Sequence, residues 1–333
     1  MDRRLSRRTL LAAVGALLVT HSLSAHAAGP GIGAKASYAN RIRAIEHSPL
    51  GLTFHLELKS APFPTSASSY QDASVFVFVP AHYRADRGGL AALVHFHGHN
   101  TSAERALSAH QLREQLVDSK QNAVLVVPQG PLFAADSSAG KLEAPGGLKA
   151  LLEEVALVLS SKEAMDELGP AKILRGTGIG RVCLSGHSGG YHAVASCLKQ
   201  GGVSVSEAYL FDALYAEAEV FKAWMLAGRL AGMPKRKLVS MATAGAPLAN
   251  TEALMADLAK AGLRCVVEKK EGSISREDLV RADAVFLQSP LTHQDVTFEH
   301  NALRDCLYAS SLPRHVKTSW FRAARGPRPI EKR

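Results

Sequence analysis

The chain has only four cysteines, Cys183, Cys197, Cys265 and Cys306, and no two of them form a C-x-x-C pair. That argues against thiolate metal sites and dithiol redox motifs, whose chemistry needs two sulfurs within one turn of each other. It leaves room for one disulfide, which the spacing cannot pair, and Cys183 sits in an apolar stretch that reads as buried. Past residue 20 there is no apolar run long enough to cross a bilayer, so no transmembrane anchor is expected. The central part of the chain also lacks net charge. The formal +9 comes from the ends: residues 1–27 contribute +3 and residues 314–333 contribute +6, which leaves residues 28–313 neutral. A neutral domain offers no basic face to a polyphosphate, so no nucleic-acid partner is expected.

The ends are distinctive. Arg3, Arg4, Arg7 and Arg8 precede an apolar run from Leu10 to Thr20, and Ala25-His26-Ala27 supplies a small-x-small cleavage site. Ser6-Arg7-Arg8-Thr9-Leu10-Leu11 resembles a twin-arginine export signal. Residues 1–27 are therefore read as an export signal, and the mature protein as periplasmic or secreted. No cysteine follows the cleavage site, so no lipoprotein anchor is expected. Residues 314–333, with Pro327 and Pro329 among seven basic side chains, read as a flexible basic tail. Such a tail is a solvated end, or makes weak contact with anionic envelope polymers. Residues 28–313 remain as a single domain of ordinary size.

Within that domain, Leu50 to Leu58 and Ser74 to Val79 read as two strands able to form a hairpin, with a Ser/Pro-rich loop between them. From residue 90 onward short apolar strands alternate with helical patterns. Strands are expected at 90–97, 122–127, 181–185, 208–211, 237–242, 263–267 and 284–287. Helices are expected at 103–118, 148–159, 191–200, 216–227, 251–261 and near 299–310, with a further helical piece between 161 and 180. All-apolar strands alternating with amphipathic helices imply an α/β fold, a mostly parallel central sheet covered by helices on both faces. In such sheets the active site lies beyond the carboxyl ends of the strands. Gly98, Pro128-Gln129, Ser188, Asp212 and His293 all fall just after predicted strands.

The stretch Val182-Cys183-Leu184-Ser185-Gly186-His187-Ser188-Gly189-Gly190 is an apolar strand running into G-x-S-x-G. That pattern makes a sharp strand-to-helix turn that lifts the serine clear of both elements, and its glycines are needed where a Cβ would collide as the chain doubles back. On the element order, the elbow and the upstream His97-Gly98, the chain resembles the α/β-hydrolase superfamily over roughly residues 50 to 311.

The resemblance implies a serine hydrolase with a triad in the chain order Ser, Asp, His and no cofactor. Ser188 would be the nucleophile. A serine hydroxyl needs a base to take its proton, and a carboxylate to orient that base. Among downstream histidines, His192 lies too close to the elbow on the following helix, His300 begins a helix and His315 falls in the basic tail. His293, in Ser289-Pro290-Leu291-Thr292-His293-Gln294-Asp295, stands after the last strand and is the expected base. The superfamily usually places its acid after the strand that is here 237–242, but Thr243-Ala244-Gly245-Ala246-Pro247 contains no carboxylate. Asp212, one strand earlier, is the expected acid, its alternative role being the N-cap of the next helix. Asp295 would hold the His293 loop. The oxyanion hole would use the N–H groups of Gly189 and His99, with Gly98 as the alternative to His99. Gln129 and His187 are expected at the substrate. The segment after Asp212 is brief, so no large lid is expected.

The expected reaction is cleavage of an ester, or less readily an amide, of a small molecule or envelope polymer through an acyl-enzyme. Two other readings stand beside it. His95, His97 and His99 alternate and could hold zinc in a metal-dependent hydrolase. A non-catalytic envelope-binding protein could keep a relic elbow.

Overall fold

The computed structural model describes residues 38–85, 87–315 and 326–332. The export signal read at residues 1–27 lies outside them.

Among the described residues ten strands form one sheet. They are β1 Ile42–Ser48, β2 Gly51–Glu57, β3 Ser74–Pro80, β4 Leu90–Phe96, β5 Val124–Pro128, β6 Ile179–His187, β7 Val205–Phe211, β8 Lys237–Ala242, β9 Cys265–Glu268 and β10 Ala284–Gln288. Their spatial order is β1-β2-β3-β5-β4-β6-β7-β8-β10-β9. The first three strands pair antiparallel with one another, and β3 pairs antiparallel with β5. Every pair from β5 through β4 to β9 is parallel.

The helices among the described residues are α1 Ala103–Ala109, α2 Leu112–Ser119, α3 Gly147–Leu159, α4 Lys162–Leu168, α5 Tyr191–Gln200, α6 Ala218–Ala227, α7 Gly245–Lys260, α8 Arg276–Arg281 and α9 Ala302–Tyr308. None is long and apolar enough to cross a membrane.

The apolar strands have a simple physical cause. Successive side chains point to opposite faces, and both faces are covered. Val94, Val126, Leu184 and Leu210 enter one core with α3 and α5. Leu93, Leu125, Cys183 and Tyr209 enter the other with α2 and α9. The sheet is mostly parallel with helices on both faces, in the strand order of an α/β-hydrolase fold. The connection from Asp212 to Glu217 is a short turn and carries no lid.

Several elements differ from the sequence expectations. The helix expected over 103–118 is two helices, α1 and α2, because Gln111 takes a left-handed φ of 48° between them. Strand β1, a half-exposed edge strand with no apolar run, carries no strong sequence signal. The stretch after residue 314 is also not free throughout. Residues 326–332 return to the domain, where Arg328 pairs in its interior with Glu268 at 2.7 Å and Asp305 at 3.0 Å, its side chain only 2% exposed. Buried carboxylates that need a cation hold this segment down. All four cysteines are free thiols, so the disulfide that the spacing allowed is not formed.

Candidate active site

The parallel strands bring their carboxyl ends to one edge, and the candidate residues gather there. β6 ends at His187, and Ser188 follows with φ 52°, a left-handed conformation that costs a non-glycine residue energy and marks a strained turn. α5 begins at Tyr191, after the single turn Ser188–Gly190. The turn closes because its neighbours have no side chains. A Cβ on Gly190 would stand 2.5 Å from the Phe96 carbonyl oxygen, and one on Gly98 would stand 2.7 Å from Cβ of Ser188. Gly98 therefore presses the loop after β4 directly against the serine.

Asp212 closes β7, also with left-handed φ, 46°. Its backbone N–H continues the ladder to the Met241 carbonyl. The carboxylate is buried and fully engaged. Oδ1 accepts the Thr243 N–H at 2.8 Å, and Oδ2 accepts the Thr243 hydroxyl at 2.8 Å and His293 Nδ1–H at 2.6 Å. Burial alone would raise its pKa, but the bonds from His293 and Thr243 outweigh that and hold it below the ordinary carboxylate value. Asp212 does not cap α6, whose N-cap is Glu217. Thr243 stands after β8, where the superfamily pattern leads one to look for the acid, and supplies donors to the acid of the neighbouring strand instead.

His293 lies in the loop after β10. Its Nδ1–H on Asp212 leaves Nε2 as the basic nitrogen. Ser188, His293, His187, His110, His99, Asn100, Thr101 and Arg105 line one cleft of about 420 Å³. Tyr215 stands beside the base, its ring centroid 6.4 Å from that of His293. Tyr215 was not anticipated, because nothing local in Ala213-Leu214-Tyr215 distinguishes it from a turn residue.

The remaining candidates divide. His99 lies over the elbow: a Cβ on Gly189 would meet its ring at 2.3 Å, and its Nε2 meets Ser137 Oγ at 2.7 Å. Gly189 and His99 are thus adjacent. Gln129 does not reach the cleft. It is 2% exposed, its Oε1 accepts the Ala103 N–H, and its Nε2 donates to His97 Nε2 and the Gly130 carbonyl. It ties β5 to the start of α1, a bracing role in place of the expected contact with substrate. His187 lines the cleft, but its Nε2–H is committed to the carbonyl of His293 at 2.7 Å.

The other downstream histidines are occupied elsewhere. His192 sits between Glu143 and Glu217, His300 pairs with Glu271, and His315 stacks near His82. Asp295 accepts the Thr292 hydroxyl within the His293 loop.

His95, His97 and His99 do not converge. His95 Nδ1 meets Ser185 Oγ, His97 Nδ1–H donates to the Gly98 carbonyl while its Nε2 accepts the Gly130 N–H, and His99 turns to Ser137. Among the described residues no group of three His, Cys, Asp or Glu side chains is placed to hold a metal ion.

A file of imidazoles runs from the core to the site. Ring centroids are 5.7 Å apart from His95 to His110, 4.7 Å from His110 to His187 and 4.7 Å from His187 to His293. Burial is the main cause that keeps the inner three neutral. It pushes His110 down to about 3 and His187 to about 4, and holds His95 well below the ordinary histidine value. His187 is lowered despite the opposing effect of its bond to His293. The file was not visible in the sequence, because His110 lies far along the chain from His187 and His293.

The fold and the edge just described define the class: a protein of α/β-hydrolase architecture with a serine elbow. No family model and no curated protein matches the chain. Solved structures similar to it include the fluorophosphonate-binding serine hydrolase F of Staphylococcus aureus, 10% identical over 78% of this chain and 98% of that one, TM-score 0.43. S-formylglutathione hydrolase from Staphylococcus aureus is 12% identical over 79% and 97%, TM-score 0.44. The feruloyl esterase module from Clostridium thermocellum is 11% identical over 86% and 95%, TM-score 0.45.

Proposed function

We propose that the chain is an exported serine hydrolase that cleaves esters through an acyl-enzyme, with Ser188 as nucleophile, His293 as general base and acid, and Asp212 as its orienting carboxylate. The observation that carries this reading is the 2.6 Å bond from His293 Nδ1 to a buried Asp212, in a cleft that also holds the strained Ser188. In the first step Ser188 Oγ attacks the carbonyl carbon, and His293 Nε2 takes the hydroxyl proton. The imidazolium that forms is stabilised by Asp212. The N–H groups of Gly189 and His99 hold the developing oxyanion. The intermediate collapses, the bond to the leaving alcohol breaks, and His293 returns its proton to that oxygen. Water, deprotonated by His293, then attacks the acyl carbon, releases the acid and restores Ser188. An ester asks least of such a site, because an alcohol leaves more readily than an amine. The open cleft suits a small molecule or an exposed polymer ester. Export rests on the arginine pairs and cleavage site of residues 1–27 alone.

The test is covalent labelling by a fluorophosphonate probe. Wild type is expected to label at Ser188, and Ser188→Ala is expected not to. A wild type that fails to label sinks the reading and leaves a non-catalytic binding protein. Asp212→Asn is expected to lower kcat by about 10³- to 10⁴-fold, because the amide favours the wrong imidazole tautomer. Full turnover in that variant means the acid lies elsewhere.

A further inference from the structure

We propose that the cleft selects esters bearing an anionic group, a carboxylate above all, and that Arg105 is the residue that binds it. This rests on the serine hydrolase reading and names its substrate class.

Three observations converge. First, Arg105 lines the same cleft as Ser188 and His293, and none of the described residues lining that cleft is Asp or Glu. Second, among the described residues no carboxylate pairs with Arg105, and Asp295, beside the Gln294 that lines the cleft, accepts the Thr292 hydroxyl. Third, the guanidinium lies over an aromatic ring. It stands 5.8 Å from the centroid of the Phe133 ring, and that loop is pinned to the α1 approach by bonds from Phe133 N–H to the Thr101 carbonyl at 3.0 Å and from Asn100 N–H to the Ala134 carbonyl at 2.9 Å. Phe133 is 58% exposed and takes a left-handed φ of 49°, so its ring is turned outward over the helix rather than packed inside.

A guanidinium over an aromatic ring keeps its N–H donors free for a carboxylate. The neutral imidazoles of His110 and His187 add no competing charge on the cleft floor. The anion would sit at the mouth, with the ester carbonyl at Ser188 and the ring of Phe133 flanking the chain between them. Because the mouth is open, the attraction is screened by salt.

The experiment compares four aryl esters on wild type, Arg105→Gln and Arg105→Lys. One pair is a butyrate and the matching hemisuccinate, which places the anion on the acyl side. The other is an acyl ester of p-cresol and of 4-hydroxybenzoate, which places it on the alcohol side. Wild type is expected to prefer the anionic member of at least one pair by about tenfold in kcat/KM, mostly through KM. Arg105→Gln is expected to abolish that preference, Arg105→Lys to keep part of it, and added salt to shrink it. Fluorophosphonate labelling of each protein separates the two levels of failure. Labelled enzyme without an anionic preference, or with a preference unchanged in Arg105→Gln, overturns the role of Arg105 alone. Wild type that neither labels nor hydrolyses any of the four overturns the serine hydrolase reading and this inference with it.

Discussion

His187 donates its Nε2–H to the backbone carbonyl of His293 at 2.7 Å. The residue immediately before the proposed nucleophile thereby holds the loop that carries the proposed base, across the gap between β6 and β10. The bond ties the two reacting groups to one frame, and displacing either by about 1 Å is enough to cost a hundredfold in rate. His187→Leu, which cannot donate, is expected to lower kcat by about ten- to a hundredfold with a smaller effect on KM. His187→Gln, whose amide can donate, is expected to recover part of it. Wild-type kcat in the leucine variant would show that the loop holds itself.

Gly98 is expected to be intolerant of even one methyl group. Its φ is outside the left-handed region, so alanine is allowed by the backbone, and only the 2.7 Å approach to Ser188 Cβ forbids it. Gly98→Ala is expected to displace the serine and cut fluorophosphonate labelling at least tenfold, while overpacking costs about 1–3 kcal/mol of stability. Labelling at the wild-type rate, with an unshifted thermal midpoint, contradicts that close approach.

Stability is expected to fall between pH 6.5 and about 4, above the range in which carboxylates titrate. His110 and His187 have folded pKa values depressed to about 3 and about 4 from 6.5, chiefly by burial. The unfolded chain therefore takes up protons near 6.5 that the folded protein refuses. Their effect on stability is absent above 6.5 and grows unfavourable as pH falls towards the folded values. His110 packs between His95 and His187, so protonation of these rings also adds repulsion. Asp212, lowered by its bonds to His293 and Thr243, contributes stability that is full above the ordinary carboxylate value and is lost as pH falls below it through the folded value. Urea midpoints measured across this range are expected to decline, and His110→Phe is expected to flatten the slope. An equally steep decline in that variant assigns the effect to other groups.

Arg328→Met is expected to destabilise the fold by about 3–5 kcal/mol, because it leaves Glu268 and Asp305 buried with one cation fewer. Arg304 still pairs with Asp305, so the loss should fall mainly on Glu268 and on the 326–332 segment. Urea denaturation gives the magnitude. A change under about 0.5 kcal/mol, the usual size for a surface substitution, rules out a clamp at this position.

What could be read from the chain alone was whatever depends on near neighbours. Strands buried on both faces must be apolar along their length, so β4, β5, β6 and β8 stand out within a few residues of their ends. The elbow is a local turn with its own glycine pattern, and residues that follow apolar strands fall on one edge once the sheet is parallel. Ser188, Asp212 and His293 were therefore visible as candidates, and their roles now rest on the tests above. The tertiary structure alone decided the partnerships between segments far apart in sequence. Gln129 turned inward to Ala103 and His97, His187 was committed to His293, and among the described residues no carboxylate met Arg105 at the cleft. A basic tail became, at Arg328, the counter-ion of two buried carboxylates. Polar side chains satisfy donors and acceptors through space, and sequence spacing carries no record of which partner the fold brings within hydrogen-bond distance.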